Sequence, residues 1–175
     1  MPGSIRAIQL ILAASLLLGG ALPAGEPPAT TIEFAPAAAA KMQGYGEDER
    51  ATLEAAIRAA LAREAGKTPA LAERQIVVTV EDVAPTHPTR EQLARSPAAA
   101  TVPTKFLGGA ELAGEVRDAN QHVVAKVTHR YFARSLELGS SSVDPWADAR
   151  LAIDRFAVKL AAACRDLPGM PGRGS

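Results

Sequence analysis

Between residues 108 and 134 the chain reads GGAELAGEVRDANQHVVAKVTHRYFAR, two alternating runs on either side of the polar tetrapeptide Asp118-Ala119-Asn120-Gln121. Alternation with period two belongs to strands covered on one side, and two such runs about a polar turn make a β-hairpin. A loop closed tightly around Ala119 and Asn120 sets Ala110, Leu112, Gly114 and Val116 opposite His129, Val127, Ala125 and Val123 on one mostly apolar face. Glu111, Glu115, Arg117, Lys126, Thr128 and Arg130 fall on the other. A slip of one residue would drive the charges into the core, so the pattern specifies which face is buried.

The rest of the chain supplies elements that can pack on this hairpin. Residues 30–34 alternate as a short first strand with Ile32 and Phe34 inward. In residues 35–46 the alanine run favours helix while Pro36, Gly44 and Gly46 interrupt it, so the stretch reads as a loop with room for a turn of helix. Residues 47–65 form a helix with acids in its first turn, Gly66 after its end and Leu53, Ile57, Ala60 and Leu61 on one face. Glu54 and Arg58 suit an i to i+4 pair on its outside. After the breaker Lys67-Thr68-Pro69, the β-branched run 75–83 is the strongest strand and belongs in the centre of the sheet. Residues 84–104 carry four prolines and form a loop, within which Thr89 and Gln92 have the spacing of a capping box for a short helix over 90–95. Residues 135–142 are a polar Gly/Ser connection. Asp144-Pro145 then starts a helix to about Cys164, with Asp144 as cap, Pro145 in the first helical position, and Trp146, Ala149, Ile153, Phe156, Ala157, Leu160 and Cys164 on the buried stripe. Burying Trp146, Ile153, Phe156 and Leu160 contributes on the order of 6 to 12 kcal/mol against ~1 for the cap, so docking on the sheet holds this helix. The element order predicts an α+β two-layer sandwich: a four-stranded, mostly antiparallel sheet with two helices on one face.

Composition sets limits on function. With 175 residues, 47% apolar and 22% charged, the chain suits one globular domain, assigned to residues 25–166. Arg6, the apolar run 7–18 and the small residues up to Ala24 match a secretory signal peptide over 1–24, cleaved after Ala21 or Ala24. The run is too short for a membrane span, which leaves no transmembrane segment after processing. Residues 167–175 are a disordered tail by composition. Losing Arg6 from 19 basic and 19 acidic side chains leaves a formal charge of −1, which argues against nucleic acid as partner. Cys164 is the sole cysteine in the sequence, so no disulfide forms within the chain and no lipid-bearing cysteine follows the apolar run. It reads as a small buried hydrophobe.

The residues point to no catalytic, cofactor or metal site. His87, His122 and His129 have no partner at metal-ligand spacing, and the sequence contains neither a nucleophile elbow nor a phosphate-binding glycine loop. Gly108-Gly109 fits a bulge or a close backbone approach at the start of a strand. Glu111 and Glu115 share a strand face, but opposite Lys126 and Thr128 they form a cross-strand charge pattern that also discourages aggregation.

Two blocks carry a resemblance. Gly109-Ala110-Glu111 through Asp118-Ala119-Asn120 to Val123-Val124-Ala125, and Asp144-Pro145-Trp146-Ala147-Asp148-Ala149 to Phe156-Ala157-Val158-Lys159-Leu160, resemble the C-terminal half of bacterial envelope proteins of the DUF3313-like type. The chain departs from them in lacking a lipoprotein cysteine and in having Gln121 where the turn usually has Gly, which shifts the expected left-handed residue to Asn120. The resemblance implies an exported, periplasmic or secreted, non-enzymatic protein with no cofactor, whose partner is another envelope protein or envelope component. Glu111, Glu115, Lys126 and Arg130 on the polar sheet face are the candidate interaction surface, with the proline-rich loop as the other candidate contact. The alternative is a small-ligand-binding periplasmic protein with an apolar pocket under the 84–104 loop, and an enzyme ranks last.

Overall fold

Residues 28–96, 107–134 and 144–167 are described by a computed structural model of the chain. The segment expected to be a signal peptide, the residues beyond 167, the 135–142 connection and much of the proline-rich loop lie outside them. The β-branched run forms β2 (Gln75–Ala84), the second strand of a sheet ordered β1 (Ala29–Phe34), β2, β3 (Gly109–Arg117), β4 (Val123–Phe132). β1 pairs parallel to β2, and the other two pairings are antiparallel. The expected α+β architecture with a mostly antiparallel four-stranded sheet is therefore present.

Residues 35–46 hold far more than a turn of helix within a loop. They form helix α1 (Pro36–Tyr45), and the residues read as breakers are its start and stop signals: Pro36 occupies the first turn, and Gly46 ends the helix at φ 117°. The alanine run supplies propensity, and Ala38 and Met42, one turn apart, reach the core. Helix α2 (Glu47–Ala65) follows with Leu53, Ile57, Ala60 and Leu61 buried as expected. The anticipated Glu54–Arg58 pair is replaced. Glu54 bonds Arg50 one turn earlier, which frees Arg58 to donate to the Thr30 carbonyl of β1. The Lys67-Thr68-Pro69 breaker opens a further short helix, α3 (Pro69–Ala72), that buries Leu71. Helix α4 (Arg90–Arg95) has the full capping box, with Gln92 N–H on the Thr89 hydroxyl and the Gln92 side chain on the Thr89 N–H.

The last helix, α5 (Ala147–Arg165), begins two residues later than Asp144-Pro145 suggests, with Trp146 at its N-cap. Asp144 still satisfies a free amide, accepting the Trp146 N–H at 2.9 Å, but in a turn that precedes the helix. The capping hydroxyl comes from far away in sequence. Thr86, 1% exposed, accepts the Asp148 N–H at 3.2 Å and donates to Asp148 Oδ2 at 2.9 Å, while its own N–H donates to the Pro145 carbonyl. This close approach needs glycine at 108, where a Cβ would lie 2.4 Å from Thr86 Oγ1.

α2 and α5 pack side by side over one face of the sheet. The stripe Trp146, Ala149, Ile153, Phe156, Ala157, Leu160 and Cys164 is buried throughout, in a core shared with Leu53, Ile57, Val78, Leu112 and Val116. Phe156 lies directly on Gly114 of β3, where a Cβ would meet its ring at 2.6 Å. Trp146 packs edge-on against Tyr45, centroids 5.6 Å apart, and its indole N–H donates to Glu49 at 2.6 Å. Burial raises the Tyr45 phenol and the Cys164 thiol above their ordinary pKa values, which fits the reading of Cys164 as a buried apolar side chain.

Candidate interaction surface

The hairpin of β3 and β4 buries the expected face, but its register is offset by two residues. Ala110, Leu112, Gly114 and Val116 lie opposite Tyr131, His129, Val127 and Ala125. An offset of two preserves the faces, because side chains alternate with period two. Val123 is the exception. A bulge between Val116 and Arg117 pairs it with Arg117 and leaves it 41% exposed instead of facing Val116.

The loop supplies one residue of the offset and the bulge the other. The loop runs one residue longer than a tight closure on Ala119 and Asn120. Asp118 accepts the Gln121 N–H on its carbonyl and donates its own N–H to the His122 carbonyl, both at 3.0 Å. Its carboxylate takes the N–H groups of Asn120 and His122 at 2.8 and 2.9 Å. These bonds hold Asp118 below the ordinary carboxylate range, the His122 N–H contributing most. The left-handed residue is Gln121, at φ 67°, and not Asn120. Backbone geometry decided this: the residue that follows the turn and re-enters the strand takes positive φ, whatever its side chain.

On the face away from the helices, β3 and β4 assemble the four residues of the expected surface. Glu115 sits opposite Lys126 and is bonded by Lys126 and Arg117, each at 2.8 Å. Lys126 first, then Arg117, holds its carboxyl below the usual range. Glu111 is opposite Arg130, not Thr128, and pairs with it at 3.1 Å. Ala113 and Thr128 separate the two pairs. The same face continues over Val77 and Thr79 of β2 to Thr31 and Glu33 of β1, and none of these residues is buried. The sheet thus has one face in the core and one polar face away from the helices, with its opposite charges paired across β3 and β4.

Sequence reasoning missed the anchoring of the proline-rich loop. Its described part is held at two points by buried threonines, Thr86 on α5 and Thr89, whose hydroxyl donates to the Tyr45 carbonyl at 2.8 Å. Beside Thr89 a groove of about 470 Å³ is lined by Tyr45, Glu47, Asp48, Glu49, Arg90 and Glu91. Its lining is charged, unlike the apolar pocket expected of a small-ligand site. Among the described residues no cluster of histidine, cysteine and carboxylate side chains is arranged to hold a metal, and no helix is long and apolar enough to cross a membrane. No family model, curated protein or solved structure matches the chain.

Proposed function

We propose that this chain is an exported bacterial envelope protein that acts as a non-catalytic binding or assembly module, and that it engages an envelope partner through the polar face of its sheet. The observation that carries this reading is the asymmetry of the sheet. One face supports the core, whereas the other pairs the half-buried Glu111 and Glu115 with the exposed Arg130 and Lys126. Ordered charges on an accessible face set the specificity and encounter rate of association more than its strength. The signal-peptide pattern and the resemblance to DUF3313-like proteins support the export part of the reading.

A photo-reactive amino acid placed at Thr79 or Thr128, in bacteria exporting the protein, is expected to give defined protein adducts. The same group at Val158, on the outer side of α5, is expected to give none. Adducts from Val158 alone would overturn the reading of the face. Mass spectrometry of the mature protein is expected to place its N-terminus near Leu22 or Gly25, and an intact Met1 would overturn the export part.

A further inference from the structure

The two edges of the sheet are finished differently. β1 is six residues long, and its outward side is engaged by α2: Arg58 donates to the Thr30 carbonyl at 2.7 Å, and the Arg50 guanidinium lies 4.6 Å over the Phe34 ring. β4 is ten residues long. Among the described residues, no group outside β3 hydrogen-bonds to its main chain. An edge strand presents unpaired N–H and C=O groups on every second residue, here along about 33 Å, and such an edge is a template for a further strand.

The side chains along that edge restrict what can add. On the polar face β4 presents Lys126, Thr128 and Arg130 in succession. Their inner neighbours on β3 are Glu115, Ala113 and Glu111, a strand of pattern acid, small, acid that matches the cations at every step. Although paired, the Lys126 and Arg130 side chains remain 70% and 68% exposed. An ammonium has three donors and a guanidinium five, so each can accept a second carboxylate from the outer side. A second copy of β4 cannot provide one. The strand VVAKVTHRYF contains no acid, and any two-fold pairing of β4 with itself gathers four cations.

We infer that the outer edge of β4 receives an extended segment of the partner protein as an antiparallel fifth strand, with carboxylates four residues apart about a small residue so as to face Lys126 and Arg130. Main-chain hydrogen bonds give this mode its affinity, and the two cations give it register and choice of partner. The inference rests on the binding-module reading and makes it specific.

The probe is a synthetic peptide of the β3 pattern, GAELAGEVR, added to the purified full-length protein. Amide hydrogen exchange is expected to show new protection on alternate residues of β4 and none on β1. Replacing both peptide glutamates by lysine is expected to weaken binding by about tenfold or more, the equivalent of two cross-strand charge pairs. A peptide N-methylated on the amides that face β4 keeps its charge but is expected to lose the protection. Equal binding of the N-methylated peptide would show a charge contact without a strand and would overturn the proposal, as would absence of binding by the parent peptide. The Lys126→Glu/Arg130→Glu variant guards against strand exchange with β3: it is expected to bind the lysine peptide in preference, and retained preference for the glutamate peptide would place the peptide elsewhere. Cross-linked adducts at Thr79 and Thr128 without peptide protection on β4 would leave the binding module standing and remove the added strand. Protection on β4 with no adduct in cells would leave the edge able to take a strand but remove the envelope partner, and the inference with it.

Discussion

Gln121 has φ 67°, a conformation that costs a non-glycine residue about 1 kcal/mol or more, whereas glycine adopts it freely. Gln121→Gly is therefore expected to leave stability unchanged or raise it by up to about 1 kcal/mol, and Asn120→Gly to lower it by a few tenths, through the entropy of the unfolded chain alone. Urea midpoints of the two variants check this, and the reverse order would contradict the loop geometry. His129 makes a second residue-scale prediction. Lys159 donates to its Nδ1 at 3.0 Å, which leaves the ring proton on Nε2, a buried atom with no partner among the described residues. Burial, followed by the charges of Lys159 and Arg155, depresses its pKa below the ordinary 6.5. The unfolded chain then takes up the proton first as pH falls. The contribution of His129 is thus complete above pH 6.5 and is lost as pH drops through the interval between the unfolded and folded values. His129→Leu is expected to flatten stability in that interval, measured as urea midpoints across the pH range. The further loss at lower pH, where the Glu115 and Asp118 carboxylates take up protons, should remain.

At the scale of elements, the long helix α5 is held at its beginning by Thr86 and along its length by Phe156. Thr86→Val is expected to cost about 1 to 2 kcal/mol, as the loss of a helix cap does, with Thr86→Ser restoring most of it. Faster hydrogen exchange at the Asp148 amide would identify the cap as the cause. Phe156→Ala should cost about 3 to 5 kcal/mol, the sum of lost transfer energy and an unfilled cavity. Gly114→Ala, whose Cβ would meet the Phe156 ring at 2.6 Å, should cost about 1 to 3 kcal/mol by overpacking. Together the two changes should cost less than their sum, because the truncated ring vacates the space that the new methyl requires. Additive costs in a urea double-mutant cycle would mean that α5 does not sit on β3 at this point.

At the scale of the whole molecule, a shared core joins residues from Ala38 of α1 to Cys164 of α5, so unfolding is expected to be one transition. Trp146 fluorescence, which reports on the contact with Tyr45 and Glu49, should lose its native signal at the same urea concentration as far-UV circular dichroism. An earlier change in fluorescence would divide the helices from the sheet. Much of this architecture was readable from local chemistry. Period-two alternation placed Glu111, Glu115, Lys126 and Arg130 on one exposed face, helical spacing picked out the stripe from Trp146 to Cys164, and the Thr89–Gln92 spacing marked the short helix α4. These signals are carried by side chains a few residues apart, which meet or share a face in any chain that adopts the element. What passed unread depends on residues distant in sequence. Helix α1 was hidden because Pro36 and Gly46 work equally well as breakers and as helix boundaries, and burial of Ala38 and Met42 decides between the two. The cap that Thr86 provides spans 62 residues, and the parallel pairing of β1 is set by the helical crossover that leads to β2. The exact partners across the hairpin needed the loop to close first. Alternation determined which face is charged, but only the tertiary structure decided that Glu111 meets Arg130, because a shift of two residues changes every partner and moves no side chain to the other face.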